Sequence, residues 1–519
     1  MKTDRFRQIP YLVILIGLAF VYQGIDSAEA ATFCVTNSSQ LHAALGTAED
    51  NGEADEIHIA QGAYTGNFTY QSQEALAVMG GYTADCSSRV LNPSNTVLSR
   101  NSSATILRIT IEGDADFECD GITFQNGSAE RGGGLRIDSW NGNVTVSNNI
   151  AYGNHAAEFG GGMYISSGGT ITLSHNTIYG NDSDYYGGGA SIHGEGTLVL
   201  TANVIRDNIA DGAAGGIHAS GGSVSVINNL FYGNFATWYH GAVLVEGDSI
   251  RVINNTIASN LSEGLGAGLT VMLDQDSDNA EIHNNIIYAN SGYYEGNDLC
   301  IFNDQNENGV ASPVSLLNND FDQSAAGTDI VLPFSIDPSN LDNRDPLFVS
   351  TGTGDYRLTK GSPCIDTGTS TDAPATDIRG TSRPQGPGYD MGAYEYADPK
   401  PDIKANGQDG TLVVTQSDPV SITVSMNPGD MAQSTADWWI AVHTPLASPA
   451  NWYSYVFPTG WQPGIHMCIQ YPLFSLSTLA LPQMSFVSGD YTFYFAVVPP
   501  GGNPLGPWLG MDFVKVQVQ

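Results

Sequence analysis

Aromatic and carboxylate side chains recur together between residues 155 and 295 of this chain: Glu158-Phe159, Asp182-Ser-Asp184-Tyr185-Tyr186, Trp238-Tyr239-His240, Glu263 and Tyr293-Tyr294. Ring faces accept the CH surfaces of sugars and carboxylates accept hydrogen bonds from hydroxyls, so the pairing suits a glycan-binding groove. A second chemistry is suggested by Asp274-Gln-Asp276-Ser-Asp278 and by Asp304-Gln-Asn306-Glu-Asn308-Gly309. Oxygen ligands alternate there as at the start of a Ca²⁺-binding loop, although neither segment supplies the bidentate Glu at the twelfth position. Cleavage of an acidic polysaccharide by elimination would need a basic side chain beside a neutralised uronate, and hydrolysis would need paired carboxylates. Residues 130–260 offer Arg131, Arg136, Arg206 and Arg251 as their only Arg or Lys side chains. These residues predict a non-enzymatic carbohydrate-binding or adhesion protein, with a polysaccharide lyase or glycoside hydrolase as the alternative.

Something must hold these groups at matching positions, and asparagine reveals it. Asn149, Asn176, Asn203, Asn229, Asn255 and Asn285 are separated by 27, 27, 26, 26 and 30 residues, and Asn154, Asn181, Asn208, Asn234, Asn260 and Asn290 repeat those intervals. Two locked columns define one repeating unit, as a solenoid requires. Short alternating runs such as Val144-Thr-Val146, Ile171-Thr-Leu173 and Leu198-Val-Leu200 read as strands with one face inward, and glycine clusters recur between them. About 27 residues per unit, several strands and no helical period predict an all-β right-handed parallel β-helix of roughly ten coils, stacked about 4.8 Å apart. The column asparagines are expected at sharp left-handed corners, with their amides bonding along the axis. Tyr152, Tyr179, Arg206, Tyr232 and Tyr288 form an outward row expected to stabilise the stack, with Arg206 adding cation–π support. The acidic segment 274–279 falls where the spacing from Asn260 to Asn285 lengthens to 25.

Residues 1–30 read as a signal peptide: Lys2, Arg5 and Arg7 precede an apolar run from Tyr11 to Tyr22, and Ala28-Glu29-Ala30 suits cleavage after Ala30. That run is shorter than a membrane span and no later one is longer, so a soluble extracellular or cell-surface protein is expected. The formal charge of −36 argues against nucleic acid and anionic membrane as partners, and the absence of lysine between Lys2 and Lys360 argues against a polyanionic polysaccharide held by simple charge complementarity. Six cysteines suit an oxidising compartment. Cys34 with Cys86 is the favoured pair and Cys300 with Cys364 the second. Residues 38–48 place Leu41, Ala44 and Leu45 at helical spacing after Ser38 and Ser39, which predicts a helix capping the first coil. Beyond Asp398-Pro-Lys-Pro401 the repeat gives way to longer alternating runs, among them Trp438 to His443 and Tyr491 to Val498. Residues 398–519 are therefore expected to form a small antiparallel β-sandwich, with one of the neighbours Trp438 and Trp439 facing out.

With Cys34-Val35, Asp55-Glu56-Ile57-His58-Ile59 and Gly62-Ala63-Tyr64 at its entry, the segment 32–396 resembles the pectin-lyase-like superfamily of right-handed β-helix proteins. The Gly-His-Gly and Arg-Ile-Lys tripeptides of polygalacturonase-like members do not occur, so no catalytic residue is carried over. Asp345-Pro-Leu-Phe348, Asp355-Tyr-Arg-Leu358, Ser362-Pro-Cys-Ile-Asp-Thr-Gly368, Arg383-Pro384 and Asp390-Met-Gly-Ala-Tyr-Glu395 resemble the terminal module of choice-of-anchor Q surface proteins. That likeness implies export, and it marks about 341–397 as a closing module of the 31–397 β-helix. A weaker likeness, through Phe231-Tyr-Gly-Asn234, is to polymorphic outer-membrane protein repeats. The last domain resembles Ig-like accessory domains of secreted bacterial proteins.

Overall fold

A computed structural model describes residues 30–100, 103–273, 279–294, 296–303, 313–330, 336–446 and 451–519. The signal-peptide expectation lies outside them. The chain enters through the strand Thr32–Val35 and a helix, Ser38–Asp50, that buries Leu41, Ala44, Leu45 and Ala48 on the first coil. Its N-cap is Asn37, whose side chain accepts from the Gln40 backbone N–H at 3.0 Å. The helix begins at Ser38 as expected, with the residue before it as its cap.

The coils build three sheets whose strands pair in parallel with their equivalents in the next coil, the third sheet being confined to the middle coils, giving a right-handed β-helix. Among the described residues, the first sheet holds 18 strands, the second 11 and the third seven. In the first, Val144, Ile171, Leu198, Val224 and Ile250 stack in register, and all are fully buried. Alternation puts those side chains inside and their neighbours outside.

The asparagine columns are buried ladders. Asn203 accepts from Asn176 N–H at 2.9 Å; its own amide donates to Asn229 Oδ1 at 2.9 Å and to the Leu173 carbonyl at 2.8 Å. The first column continues past its sixth member through Asn319 and Asn340. The second ends on Asp298, which accepts from the Asn290 amide at 2.9 Å.

One expectation is corrected here. The left-handed corner belongs to the residue before each ladder asparagine: Asn148, His175, Ala202, Asn228, Asn254 and Asn284 in the first column have φ between 54° and 58°. The corner residue turns the chain, and that turn aims the next side chain inward along the axis.

This corner position also explains a run of Asn-Asn doublets. Asn228, Asn254, Asn284 and Asn318 donate to the carbonyls of Thr376, Asp390, Thr369 and Thr367 at 2.7 to 3.0 Å. The first asparagine of each doublet docks residues 367–390 on the flank of the solenoid, and the second joins the ladder. The closing segment that contains them, residues 343–397, has one hairpin, Phe348–Ser350 with Asp355–Leu358, and is otherwise largely irregular. It covers part of the outward tyrosine row. Tyr232 meets Tyr356 at 4.9 Å and Tyr288 meets Phe348 at 6.4 Å, whereas Tyr152 stacks on Tyr179 at 5.1 Å and Arg206 lies 4.1 Å over Tyr179.

Cys34 and Cys86 form a disulfide. Cys300 and Cys364 do not pair. Both thiols are buried, with Cys300 against the Gly296 carbonyl and Cys364 against Asp320.

After residue 399 come antiparallel sheets of seven and three strands, with one parallel pair between Thr411–Val414 and Gly510–Val518. Trp438 points into their core and Trp439 points away from it. Among the described residues, no helix is long and apolar enough to cross a membrane.

Candidate functional site

Leaving the third sheet, each central coil passes through an aromatic or acidic turn and a glycine pair before entering the first sheet. The glycines are required by close stacking: a Cβ on Gly161 would lie 2.3 Å from the Asp182 carbonyl oxygen. Phe159, Tyr186, Ala213 and Tyr239 pair in succession just before these glycines, so they form one row along the axis. Phe159 and Tyr186 are stacked at 5.9 Å, and Ala213 opens a gap before Tyr239. Tyr185, Trp238, Tyr239, Tyr293 and Tyr294 are exposed, Tyr293 most of all at 81%. Together these rings make a ridge.

The acids divide by surroundings. Glu158 is held by Arg131 at 2.9 Å and Asp182 by His155 at 2.6 Å. Asp182 and Asp184, with Asp207 and Asp211, line a cleft of about 330 Å³; Glu263, with Tyr293 and Tyr294, lines another of about 530 Å³. His240 leaves the ridge, turning so that its Nδ1 lies 2.9 Å from Thr270 Oγ1. The candidate Ca²⁺ ligands Asp274, Asp276, Asp278, Asp304, Asn306 and Asn308 lie outside the described residues. Among the described residues, the carboxylates close enough to share a cation are Asp402, Asp409 and Asp512. Lys404 already bridges Asp402 and Asp409 at 3.0 and 3.1 Å.

Beside the ridge lies a polar strip on the outer face of the first sheet. One row reads Arg136, Tyr164, Ser191, His218; the next reads Asp138, Ser166, His193, Ser220, Glu246. His193 Nε2 is 2.7 Å from Ser191 Oγ, and His218 Nε2 is 3.1 Å from Glu246 Oε2. The two imidazoles meet edge to face at 5.0 Å, and Tyr186 of the ridge stands 5.5 Å from His218. Arg131 lies 5.2 Å over Phe159 and 5.6 Å over Tyr164, tying strip to ridge at the other end.

Burial, reinforced by His218, pulls His193 down to about 4. Glu246 is also lowered: burial, the largest single influence, raises it, but the hydrogen bonds from His218 and Ser220 and the charges of His218 and His193 together outweigh it. His218 Nδ1 is buried and has no hydrogen-bond partner among the described residues. The strip therefore sets a neutral imidazole beside a hydroxyl and an imidazole beside a carboxylate, with Ser191 and His218 buried and His193 and Glu246 half-buried; such pairs bind hydroxyls or move protons.

The sequence pattern singled out the ridge and missed the strip. Its signal was the same interval already seen in the ladders: Tyr164, Ser191 and His218 are 27 apart, as are Ser166, His193 and Ser220. Polar residues of different types at a shared interval look unrelated until the register is known.

The lowered His193 gives a pH prediction. Above the ordinary histidine value His193 is neutral in both the folded and the unfolded chain, and the stabilisation is complete. As pH falls from 6.5 toward 4, the unfolded chain takes up a proton that folded His193 refuses, so stability is lost. Denaturant titrations at pH 7 and pH 4.5 should show wild type losing about 1–2 kcal/mol more than His193→Gln over that interval.

The family model described as right handed beta helix region matches residues 32–257. No curated protein and no solved structure matches the chain. Over residues 32–257 the chain is thus similar to right-handed β-helix proteins, in agreement with the coils that carry ridge and strip.

Proposed function

We propose that this chain is an exported, secreted or cell-surface protein that binds carbohydrate along the aromatic ridge and the polar strip beside it. The observation that carries the reading is the row Phe159, Tyr186, Tyr239, in register along the axis and flanked by acidic clefts. A linear polymer lying parallel to the axis would meet the stacked rings of Phe159 and Tyr186, the gap at Ala213 and then Tyr239, with hydroxyl-binding groups alongside. The charge of −36 selects a neutral glycan. Export is supported by the basic-then-apolar start, by the Cys34–Cys86 disulfide and by the likeness of 341–397 to choice-of-anchor Q modules.

Trp238→Ala with Tyr239→Ala should weaken binding to a glycan array or polysaccharide resin at least tenfold without changing the unfolding midpoint, since both rings are exposed. Undiminished retention of the double variant would remove the ridge from the reading.

A second reading, cleavage of the bound polymer, is favoured by the Ser191–His193 and His218–Glu246 pairs. New reducing or unsaturated ends that appear with wild type and not with His218→Ala would establish it.

A further inference from the structure

The C-terminal sandwich holds a cavity of different chemistry, about 720 Å³ in volume and open at one side. Its walls come from both sheets: Val424 and Leu476 from the three-stranded sheet, Trp438 and Phe495 from the seven-stranded one, with Tyr471 and Phe474 at the mouth. None of the lining side chains is Asp, Glu, Lys, Arg or His. The Trp438 indole N–H is already spent on the Tyr471 carbonyl at 3.1 Å. The rim is exposed and apolar: Phe457, Tyr471, Phe474 and Leu479 are 59%, 52%, 38% and 51% accessible. Exposed apolar side chains gathered round a cavity mark a binding site rather than scattered surface residues.

We propose that this cavity binds one neutral, single-chain acyl lipid, with the hydrocarbon between the sheets and an uncharged head in solvent. Three observations select that occupant. At about 30 Å³ per water-sized group the space holds roughly two dozen such groups, enough for one long chain and too few for two. The walls carry no charged side chain, and their polar groups besides the satisfied Trp438 N–H are the Tyr455 and Tyr471 hydroxyls and the Cys468 thiol, so the ligand's chain need bring no charge. No cation lines the mouth of a chain carrying −36, so a carboxylate head is disfavoured against an uncharged one. The site is independent of the glycan reading and stands or falls separately.

The test is displacement of Nile red from the full-length protein by 1-monoacylglycerols of increasing chain length, below their aggregation concentrations, with fatty-acid anions of equal length alongside. Binding should be one-to-one, tighten about fourfold per added methylene, and be weaker for the anion. Leu479→Glu, on the exposed rim, should abolish it while leaving the Tm unchanged. Phe513→Glu, which is 46% exposed on the opposite face of the larger sheet, should not affect it. No saturable binding, no dependence on chain length, or equal binding by Leu479→Glu would each overturn the proposal.

Discussion

Asn208→Ala should lower the unfolding free energy by about 3–5 kcal/mol, far more than any single apolar contact of comparable size would suggest. The Asn208 carbonyl oxygen of the side chain accepts from the Asn181 backbone N–H at 3.1 Å and from its amide at 3.0 Å. The Asn208 amide donates to the Ile178 carbonyl and to Asn234 Oδ1, both at 3.0 Å. All of this is buried where water cannot substitute. Truncation leaves a backbone donor and a backbone acceptor unsatisfied at the same place, each costing about 1–3 kcal/mol. Urea unfolding followed by far-ultraviolet circular dichroism measures the loss. Asn143→Ala is the control: its side chain bonds Asp116 and the Thr170 N–H, but it is exposed, so water can replace it and the change should stay within about 1 kcal/mol. Comparable losses at the two positions would mean that the ladder is a consequence of the stack and not one of its supports.

Arg383→Ala should be as damaging, by about 3–5 kcal/mol, but for the docked segment rather than the solenoid. The Arg383 side chain is fully buried against an equally buried Glu395 at 2.9 Å, and it also donates to the Gly392 carbonyl at 2.8 Å and to Asn228 Oδ1 at 3.3 Å. It is the point at which the closing segment, its own acid and a corner asparagine of the solenoid meet. Removing the cation strands Glu395 without a counter-charge in a site that excludes water. Residues 341–397 should then become the first site of limited proteolysis, while the cleavage rate within 130–290 stays the same. Replacing both partners, Arg383→Met with Glu395→Leu, should recover much of the loss, because the uncompensated charge is gone. A double variant as labile as Arg383→Ala would show that the hydrogen bonds to Gly392 and Asn228 dominate instead.

The two substitutions probe features that differed in how far a sequence reveals them. The ladder was legible because one residue type repeats at one interval, and each copy needs the next to satisfy its amide. For the closing segment the sequence offered a resemblance, but where it docks was hidden. Asn228, Asn254, Asn284 and Asn318 are separated by 26, 30 and 34 residues from one another, yet their partners lie 148, 136, 85 and 49 residues away in the chain. No local pattern encodes contacts of that range. The doublets are visible once one knows that the first member turns a corner. The Cys300–Cys364 expectation failed for a related reason: both thiols sit inside the fold, but each faces its own neighbours.

The candidate site divides in the same way. The ridge could be found in the sequence because aromatic rings cluster at repeated positions outside the strands. The strip could not, because Tyr164, Ser191, His193, His218 and Glu246 are chemically unlike and lie on strands that otherwise read as ordinary alternation.

By itself, then, the sequence determined the coil length, the two ladders, the inward faces and the change of architecture near residue 398, since each is a periodic pattern imposed by backbone geometry. Only the tertiary structure decided which polar side chains meet on the outer face and where the closing segment lies. It also decided that the last domain encloses an apolar cavity. Those depend on the stacking register of coils and sheets, which brings together residues that share neither type nor neighbourhood in the chain.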